Sequence, residues 1–372
     1  MTADKKAAER SYQILAFTDE GMRLAERTVE KLQEDGCRKA AADRSGRPLS
    51  AAEWTEKYFQ EASCLIFIGA CGIAVRSIAP LVQNKCIDPA VLVMDECGRY
   101  VIPILSGHLG GANRDAERIA GLLHLQPVLT TGTDARGKFA VDVWADEQKL
   151  QILEPSRIVN VSSAVLNNRD GILVYSVWPV RGARPSGVGV VVRPAGGLKD
   201  SDAFPFREKS DVLIDVRVRP YDRGLHLVPK VLVLGIGCRK GISEEAVEKC
   251  WRVFSEGYGF PDAALQKAAS IDVKSREQGI LGFCSRRRIP FQTFDKDQLN
   301  AVKGDFSRSA FVLKTVGTDN VCERSAAAAC GGTADCIIAK KFSLYGVTMA
   351  AAVKDVQLSW GRSDADEGEK DK

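Results

Sequence analysis

The chain has 372 residues, which is long for a single hydrophobic core, so two or three domains are expected. Its net charge is only +4, from 52 basic and 48 acidic residues, and this balance argues against a dedicated nucleic-acid binder. The first ten residues are polar and no apolar run is long enough to span a bilayer. The sequence therefore predicts a cytoplasmic protein with neither nucleic acid nor a membrane as a partner.

The cysteines and histidines give no metal-binding pattern. There are eleven cysteines and three histidines, and no two cysteines have CxxC spacing. The most closely spaced pair, Cys330 and Cys336, is separated by five residues. We interpret the cysteines as free thiols, mostly buried, in a reducing compartment, and we expect no protein metal site.

The first part of the chain alternates strand-like and helix-like segments. A strand at 13–17 leads through Thr18, a good N-cap, into a helix that ends near Gly36, and 37–50 is expected to be a loop. Further strands are predicted at Cys64–Ile68, Ala90–Met94, Tyr100–Leu105 and 127–130, with helices after the first and third of these. This alternation predicts a parallel α/β N-terminal domain over 1–148.

The alternation of strand-like and helix-like segments stops near residue 150 and returns near residue 230. Strand-like runs at 158–161, 172–177, 188–192 and 212–218, separated by Gly and Pro turns, predict a small β-rich middle domain over 149–226. Strand–helix alternation then returns and predicts an α/β C-terminal domain over 227–355, including a strand at 310–313. The charged segment 356–372 is expected to be disordered. The fold class is thus multi-domain α/β.

The strongest candidate site is the segment 106–113, SGHLGGAN, between a strand and a helix. His108 is suited to proton transfer near neutral pH, and the helix N-terminus favours an anion or a developing oxyanion. The candidate binding residues here are Gly107, Gly110, Gly111 and Asn113. The alternative is a Gly-rich connector in which His108 only bonds the local backbone.

A second candidate, TTGTD at 130–134, directly follows a predicted strand. Ligands of open parallel sheets bind beyond the carboxyl ends of strands, so hydroxyls and a carboxylate here could orient substrate or water. The residues concerned are Thr130, Thr131, Thr133 and Asp134. The alternative is a cap on the following segment, which prefers the same residue types.

Two further Gly-rich turns follow predicted strands. The first contains Gly69, Gly72 and Arg76, and the second contains Gly235, Gly237, Cys238 and Arg239. Each could hold an anion through backbone amides and an arginine, although Arg76 could equally be solvated and Cys238 inert packing. Neither turn matches GxGxxG or GxxxxGK[ST], so a nucleotide-dependent enzyme is disfavoured.

At these same residues the chain resembles a known family, the cobalt-precorrin-5A hydrolases (cobalamin-biosynthesis protein CbiG). The resemblance covers most of 60–355 and rests on GHLGGAN, PVLTTGTDARGKFAVDVWA, GIGCRKGISEEAV and TVGTDNVCERSAAAA, in that order. The C-terminal segments resemble a domain that also occurs alone as a small cobalamin-biosynthesis protein.

The resemblance implies a hydrolase of the anaerobic cobalamin pathway. The substrate would be an anionic cobalt-tetrapyrrole, and water would open its δ-lactone, with carbon–carbon cleavage and release of acetaldehyde. His108 would transfer protons, and Asp134 competes with it for that role. Cobalt is carried by the substrate, so no cofactor is implied. Neighbouring pathway enzymes are further candidate partners.

A non-catalytic alternative remains open at this point. Either α/β part could belong to a corrinoid-binding or delivery protein, with His108 as a docking group or an axial ligand. Such a protein would keep the macrocycle unchanged, whereas an enzyme would release acetaldehyde.

Overall fold

The computed structural model describes residues 10–46, 48–84, 87–107, 110–130, 138–167, 171–192 and 200–361. The chain divides after Val143 into two compact units, which are considered separately below. Among the described residues, none of the helices combines the length and apolar character that crossing a bilayer requires.

The first unit is built on a six-stranded sheet. Its strands are β1 (Ser11–Ala16), β2 (Lys39–Arg44), β3 (Cys64–Ile68), β4 (Ala90–Met94), β5 (Tyr100–Leu105) and β6 (Gln126–Pro127). Their order is β2-β1-β3-β4-β5-β6. Strands β1 to β4 are parallel, β5 runs antiparallel to β4, and β6 is parallel to β5. The reversal at β5 decides which edge of the sheet each loop occupies.

Helices cover both faces of this sheet. They are α1 (Asp19–Glu34), α2 (Ala51–Tyr58), α3 (Cys71–Ile78) and α4 (Ala112–Leu123). Because side chains of a strand alternate between faces, Ile14 packs with α1 and α4 while Leu15 packs with α2 and α3. The predicted cap is present, since Thr18 Oγ1 accepts from the Gly21 amide at 3.0 Å.

The segment 37–50, predicted as a loop, contains β2. Its sequence, KAAADR, has no β-branched residue and alternates exposed and half-buried positions at the start. Strand β2 lies at the edge of the sheet, where charged side chains are common and apolar runs are not needed. Pairing with β1 rather than local propensity therefore makes this segment a strand.

The second unit contains a five-stranded sheet of mostly parallel strands. These are β7 (Leu150–Ile152), β8 (Ile172–Ser176), β10 (Val188–Val192), β11 (Val212–Ile214) and β12 (Leu225–Pro229), in the order β10-β8-β11-β12-β7. Only β7 runs antiparallel to its neighbour. A separate short strand, β9 (Val180–Arg181), lies between β8 and β10 in sequence.

This middle segment is α/β rather than simply β-rich. Helix α5 (Val141–Glu147) precedes it, and it contains α6 (Ile158–Asn167) and α7 (Asp200–Lys209). The predicted strand at 158–161 is therefore wrong. Four apolar residues do not distinguish strand from helix, and Ile158, Val161 and Val165 are buried at helical spacing.

The other sheet of this unit has the strands β13 (Leu232–Cys238), β14 (Leu265–Ile271), β15 (Phe291–Phe294), β16 (Ile337–Leu344) and β17 (Val347–Val353). Their order is β15-β14-β13-β17-β16, with β13 to β15 parallel and β16 and β17 antiparallel to their neighbours. The helices are α8 (Glu244–Tyr258), α9 (Gln278–Arg287), α10 (Lys296–Ala301), α11 (Ala310–Val316) and α12 (Cys322–Cys330). The strand predicted at 310–313 is thus the start of α11. The predicted multi-domain α/β class is confirmed.

The segment 356–361 is ordered, contrary to the prediction of a disordered tail from 356. Strand β18 (Leu358–Ser359) pairs with β9, and Trp360 stacks on Trp144 with ring centroids 4.9 Å apart. The Trp144 indole nitrogen also donates to the Ser359 carbonyl oxygen at 2.8 Å. Residues from 362 onward lie outside the described part. The boundaries proposed at 148/149 and 226/227 stay predictions.

Candidate functional site

Ser106 and Gly107, which begin the Gly-rich segment 106–113, lie at the amino edge of the parallel strands. Because β5 is reversed, its last residue, Leu105, pairs with Val91 near the start of β4. The Ser106 hydroxyl then donates to the carbonyl oxygen of Asp88, which precedes β4, at 3.0 Å. The candidate site therefore does not occupy the edge where β1, β3 and β4 end.

The segment folds back on itself before α4 begins. Ser106 has a positive φ of 54° and Gly111, the N-cap of α4, a φ of 83°. The amides of Ala112 and Asn113 donate to the carbonyl oxygens of Ser106 and Gly107, at 3.1 and 2.9 Å. The first two amides of α4 are thus occupied within the loop, contrary to the expectation that they would be offered to a ligand.

Two glycines of this loop are needed for its tight path. A Cβ at Gly107 would lie 2.8 Å from Asn113 Oδ1, and a Cβ at Gly110 would overlap the side chain of Ser106. Asn113 itself is nearly buried. The structure therefore gives these residues a folding role in addition to any contact with substrate.

A buried polar cluster, Arg10–Tyr12–Asp115, holds the loop in place. Arg10 Nη2 donates to the Gly110 carbonyl oxygen at 2.9 Å and forms an ion pair with Asp115. The Tyr12 hydroxyl donates to Asp115 Oδ1 at 2.9 Å. Asp115 is 1% exposed, and its burial raises the pKa of the carboxyl although Arg10 and Tyr12 favour its charged form.

Sequence reasoning missed this cluster, although one signal was present. Asp115 lies on the same helical face as Ala112, Ala116 and Ile119, all of which are buried. An ionisable residue on an apolar face requires a partner. Its partners are ~100 positions earlier in the chain, so no local pattern could identify them.

Four predicted site residues lie outside the described part of the chain: His108, Thr131, Thr133 and Asp134. Thr130 is described and exposed. It follows β6, which runs parallel to β5, and the Val128 amide still donates to the Val101 carbonyl oxygen at 2.9 Å. The chain therefore leaves β6 heading toward the edge at which β5 ends and the segment 106–113 begins.

Gly69, Gly72 and Arg76 lie at the opposite edge, beyond the carboxyl end of β3. Gly69 has a φ of 155°, and a Cβ there would approach Phe17 Cδ2 to 2.9 Å. Arg76, in the last turn of α3, is exposed, with its guanidinium over Gly72. No ion pair of Arg76 is found within the described residues, so its charge is available to an anion.

Gly235, Gly237 and Cys238 lie within β13, paired with β17, and not in the predicted turn, while Arg239 directly follows the strand. Both glycines serve close packing in the second unit. A Cβ at Gly235 would overlap the carbonyl oxygen of Cys322 in α12. A Cβ at Gly237 would lie 2.5 Å from Thr348 Oγ1. These contacts explain both glycines without a ligand, and the turn beyond the carboxyl end of β13 begins only at Arg239.

The two polar side chains of this segment differ in accessibility. Cys238 is half-buried, and burial raises the pKa of its thiol to about 11 even though Lys274 is close. The thiol is therefore protonated at neutral pH, which favours the packing interpretation. Arg239 is exposed, and its amide donates to the Gly346 carbonyl oxygen at 3.1 Å. Whether Arg76 and Arg239 face one cleft stays a prediction.

Next to this segment lies a buried polar group that the sequence did not reveal. Glu323 accepts from the Ser307 amide at 2.8 Å, the Ser307 hydroxyl at 2.7 Å and the Lys341 amide at 2.7 Å. Val321 directly follows the motif TVGTDN, and its Cβ would lie 3.5 Å from a Cβ added at Gly237. The end of this motif therefore borders Gly237 in β13.

The middle segment contains a buried charge network around His226. His226 Nδ1 lies 2.8 Å from Glu154 Oε1, and Nε2 lies 3.0 Å from Asp222 Oδ2. Arg207 bridges Asp222 and Asp215, each at 2.6 Å. Burial opposes ionisation of Asp222, but hydrogen bonds from His226 and Arg207 outweigh it and lower its pKa to about 2. The network connects helix and strands, which suits a structural role for His226.

Within the described residues, no group of three or more His, Cys, Asp or Glu side chains is arranged to hold a metal ion. At the described sheet edges, the features that could take part in function are therefore the Gly-rich segments, the exposed arginines and the Arg10–Tyr12–Asp115 cluster.

Comparison with known proteins identifies the family. Residues 53–134 match the family model described as Cobalamin synthesis G N-terminal, and residues 232–352 match Cobalamin synthesis G C-terminus. A protein from Salmonella typhimurium named cobalt-precorrin-5A hydrolase is 32% identical over 331 residues, covering 84% of this chain and 89% of the relative. The chain belongs to the cobalt-precorrin-5A hydrolase (CbiG) family. The resemblance inferred from the sequence is thereby confirmed.

Another relative in the cobalt-precorrin-5A hydrolase family comes from Priestia megaterium. It is 27% identical over 297 residues, covering 78% of this chain and 79% of the relative. A crystal structure of a cobalamin biosynthesis protein G homolog from Sulfolobus solfataricus covers 94% of this chain and 99% of its own, at 20% identity and a TM-score of 0.40.

The family segments contain every predicted site residue. Those from Gly69 to Asp134 fall in the N-terminal segment, and those from Gly235 to Arg239 fall in the C-terminal one. Arg10 and Tyr12, which anchor the 106–113 loop, lie outside both segments, although Asp115 lies inside the first.

Proposed function

We propose that this chain is a cobalt-precorrin-5A hydrolase. It opens the δ-lactone of cobalt-precorrin-5A, breaks a carbon–carbon bond, and releases acetaldehyde to give cobalt-precorrin-5B in the anaerobic cobalamin pathway. The observation that carries this proposal is the 32% identity to a protein of that name across 89% of its length.

Substrate binding depends on the negative charge of the macrocycle. Its carboxylates are docked by arginine forks, and the exposed Arg76 and Arg239 are suited to this task. Arg76 lies at the sheet edge opposite to Ser106 and Gly107, so it would hold a carboxylate remote from the reacting lactone. The cobalt ion enters and leaves as part of the substrate, so the protein requires no cofactor of its own. Water is the second reactant.

The first chemical step is addition of water to the lactone carbonyl. His108 takes a proton from this water, and the resulting tetrahedral oxyanion is held by backbone amides of this Gly-rich segment. Collapse of the intermediate expels the alkoxide, which is protonated, and leaves a carboxylate on the macrocycle.

The second step breaks the carbon–carbon bond. The alcohol formed in the first step loses its proton, and its oxygen becomes the carbonyl of acetaldehyde. The electron pair of the broken bond stays on the macrocycle, which takes up a proton. His108 serves these transfers in turn, with Asp134 as the competing base.

The arrangement of the described loop supports this assignment. Arg10, Tyr12 and Asp115 fix the backbone of Gly110, two residues from His108, and the segment after β6 leads toward the same edge. Asp134 follows in that segment. Catalytic groups are held in a productive geometry most accurately when the residues that support them are buried and hydrogen-bonded, as Asp115 is. We also place the enzyme in the cytoplasm, with neighbouring pathway enzymes as further partners.

Anaerobic single-turnover assays test the proposal by measuring acetaldehyde and the product macrocycle. Wild-type protein should release acetaldehyde stoichiometrically with substrate. His108→Asn should lower the rate by about two to four orders of magnitude, the usual worth of a general acid–base residue. If the protein binds the macrocycle but releases no acetaldehyde, it is the non-catalytic delivery protein of the alternative hypothesis.

His124→Asn is the matched control. His124 is the C-cap of α4 with a φ of 58°, a conformation that asparagine also tolerates, so this variant should turn over normally. If His108→Asn releases acetaldehyde at a near-normal rate and Asp134→Asn does not, then Asp134 performs the proton transfers and His108 does not.

A further inference from the structure

Two thiols meet at a tight turn in the second unit. Cys330 is the last residue of α12, and Cys336 directly precedes β16. Between them, Gly331 ends the helix with a φ of 75°, and its amide bonds carbonyl groups of the last helical turn. The chain reverses within five residues, and the helix that ends at Cys330 contacts the turn Ala334–Cys336, so the two side chains lie close together.

The turn is fixed by contacts on both sides. The Ala334 amide donates to the Lys303 carbonyl oxygen at 3.0 Å, and Cys336 Sγ lies 2.9 Å from the Thr333 carbonyl oxygen. Both thiols pack against the apolar cluster that contains Val233 and Ala326. The pair is therefore held together by the fold and does not depend on a chance rotamer of two exposed side chains.

The accessibility of the pair distinguishes it from the five buried cysteines of the described part. Cys330 and Cys336 are half-buried, whereas the thiols in the cores of the sheets are fully buried. Cys238 is also half-buried, but it has no second cysteine near it in the sequence. Cys71 and Cys97 are exposed, and no other cysteine lies within five residues of either in the sequence. A small reagent can thus reach Cys330 and Cys336, and once one has reacted the other is beside it.

We propose that Cys330 and Cys336 form a reversible disulfide, a redox modification site distinct from the hydrolytic chemistry. With a low-molecular-weight disulfide as oxidant, the Cys330 thiolate attacks one sulfur and releases one thiol. Cys336 then loses its proton and attacks Cys330 Sγ, releasing the second thiol. The protein loses two hydrogens, and the oxidant is reduced to two thiols.

The charges around the pair favour Cys330 as the attacking thiol. The hydrogen bond from Cys336 lowers the pKa of Cys330, burial raises it, and Lys354 and Lys267 lower it further. The partner's pKa is shifted upward, because its proton is shared with Cys330 and the site is partly buried. A lower-pKa thiol beside a protonated one is the arrangement that favours attack first and resolution second.

The disulfide would tie the end of α12 to the start of β16. The first turn of α12 packs on Gly235, and β16 pairs with β17. Oxidation should therefore raise the midpoint of thermal unfolding of the full-length protein by a few degrees without changing its secondary structure.

Differential alkylation of the full-length protein in glutathione buffers tests the site. Cleavage after Arg324 and Lys340 gives one peptide that contains Cys330 and Cys336 and no other cysteine. After equilibration with oxidised glutathione, this peptide should be recovered two hydrogens lighter than the reduced form, and dithiothreitol should restore two alkylatable thiols.

Single substitutions assign the two roles. Cys336→Ser should trap a glutathione adduct on Cys330, because the resolving thiol is gone, whereas Cys330→Ser should leave Cys336 largely unmodified. Cys97→Ser, which removes an exposed thiol outside the pair, should leave formation of the disulfide unchanged. Recovery of both thiols as free or as independent glutathione adducts in wild-type protein would overturn the proposal.

Discussion

One nitrogen of Arg10, Nη2, bonds both the Asp115 carboxylate and the Gly110 carbonyl oxygen, the latter at 2.9 Å. Asp115 neutralises the arginine, and the arginine holds the backbone of the Gly-rich loop. Since Arg10 precedes β1 and Asp115 lies in the first turn of α4, this contact joins the loop to the sheet at the edge where the candidate catalytic residues begin.

Asp115→Asn tests that anchor. The substitution keeps the shape of the side chain but leaves the charge of Arg10 without its partner. We expect the free energy of unfolding of the protein to fall by about 3 kcal/mol, as for removal of one member of a buried pair. Displacement of the loop should lower kcat by about ten- to a hundredfold with little change in KM. Urea unfolding and steady-state acetaldehyde release measure the two effects.

Glu34→Gln is the control for the Asp115 variant. It removes the partner of Lys31, at 2.6 Å, but the Glu34 side chain is 55% exposed, so water replaces the lost contact. A change of less than about 1 kcal/mol and normal turnover are expected. Equal effects of the two substitutions would contradict the anchoring role of Asp115.

Gly235→Ala should destabilise the second unit severely. The added methyl group would overlap the carbonyl oxygen of Cys322, and backbone cannot move aside as a flexible side chain can. We expect a loss of about 3 kcal/mol or more in the free energy of unfolding. Gly257→Ala, in α8 with nothing within 4 Å of the new Cβ, should instead stabilise the protein by about 0.5–1 kcal/mol. Comparable unfolding midpoints for the two variants would show that the contact with α12 is not tight.

Arg76→Ala and Arg239→Ala should weaken binding of the anionic macrocycle. Each removes a charged hydrogen-bonding group, so each should lower the binding free energy by about 1.5–3 kcal/mol. Anaerobic titration of the substrate measures the affinity. Arg27→Ala and Arg252→Ala remove exposed arginines away from the Gly-rich turns and should have little effect. Unchanged affinity in both test variants would exclude these arginines as docking groups.

The Asp222 network predicts a defined acid sensitivity. The pKa of Asp222 is lowered to about 2 in the folded chain, so its ionised form stabilises the fold. This contribution is fully present above about pH 4, the ordinary range of an aspartate, and is lost as the pH falls toward 2. Compared with Asp222→Asn, wild-type protein should therefore lose about 2 kcal/mol more between pH 5 and pH 2.

Urea unfolding at a series of pH values measures the difference between wild type and Asp222→Asn. Gln33→Ala, at an exposed position of α1, removes no ionisable group and should differ from wild type by an amount that does not vary with pH over this range. A constant difference between wild type and Asp222→Asn from pH 5 to pH 2 would mean that the carboxyl is not held ionised by His226 and Arg207.

The fold class was accessible from the sequence because long alternating segments have strong periodicity. Fully buried strands such as β3 and β4 stand out as apolar runs, and Thr18 marks a helix start. Strand β2 and helix α6 were misassigned, because edge pairing and tertiary packing rather than local composition decide their conformation.

The candidate site was only partly accessible. The sequence identified the Gly-rich turns, since glycine marks close approach of backbone segments. The antiparallel pairing of β5 with β4 was within reach, because residues 95–99 alone connect the two strands and a parallel pair needs a longer crossover. Nothing in the sequence indicated that Arg10 contacts Gly110, or that His226 lies between Glu154 and Asp222.

The direction of β5 gives the first unit two independently variable surfaces. The 106–113 loop and the turn at Gly69 are separated by the length of a five-residue strand, on the order of 15 Å. Substitutions that far apart, with no shared partner, act additively. Changes at one edge can therefore accumulate without disturbing the other, so the two edges of one small sheet can be tuned separately.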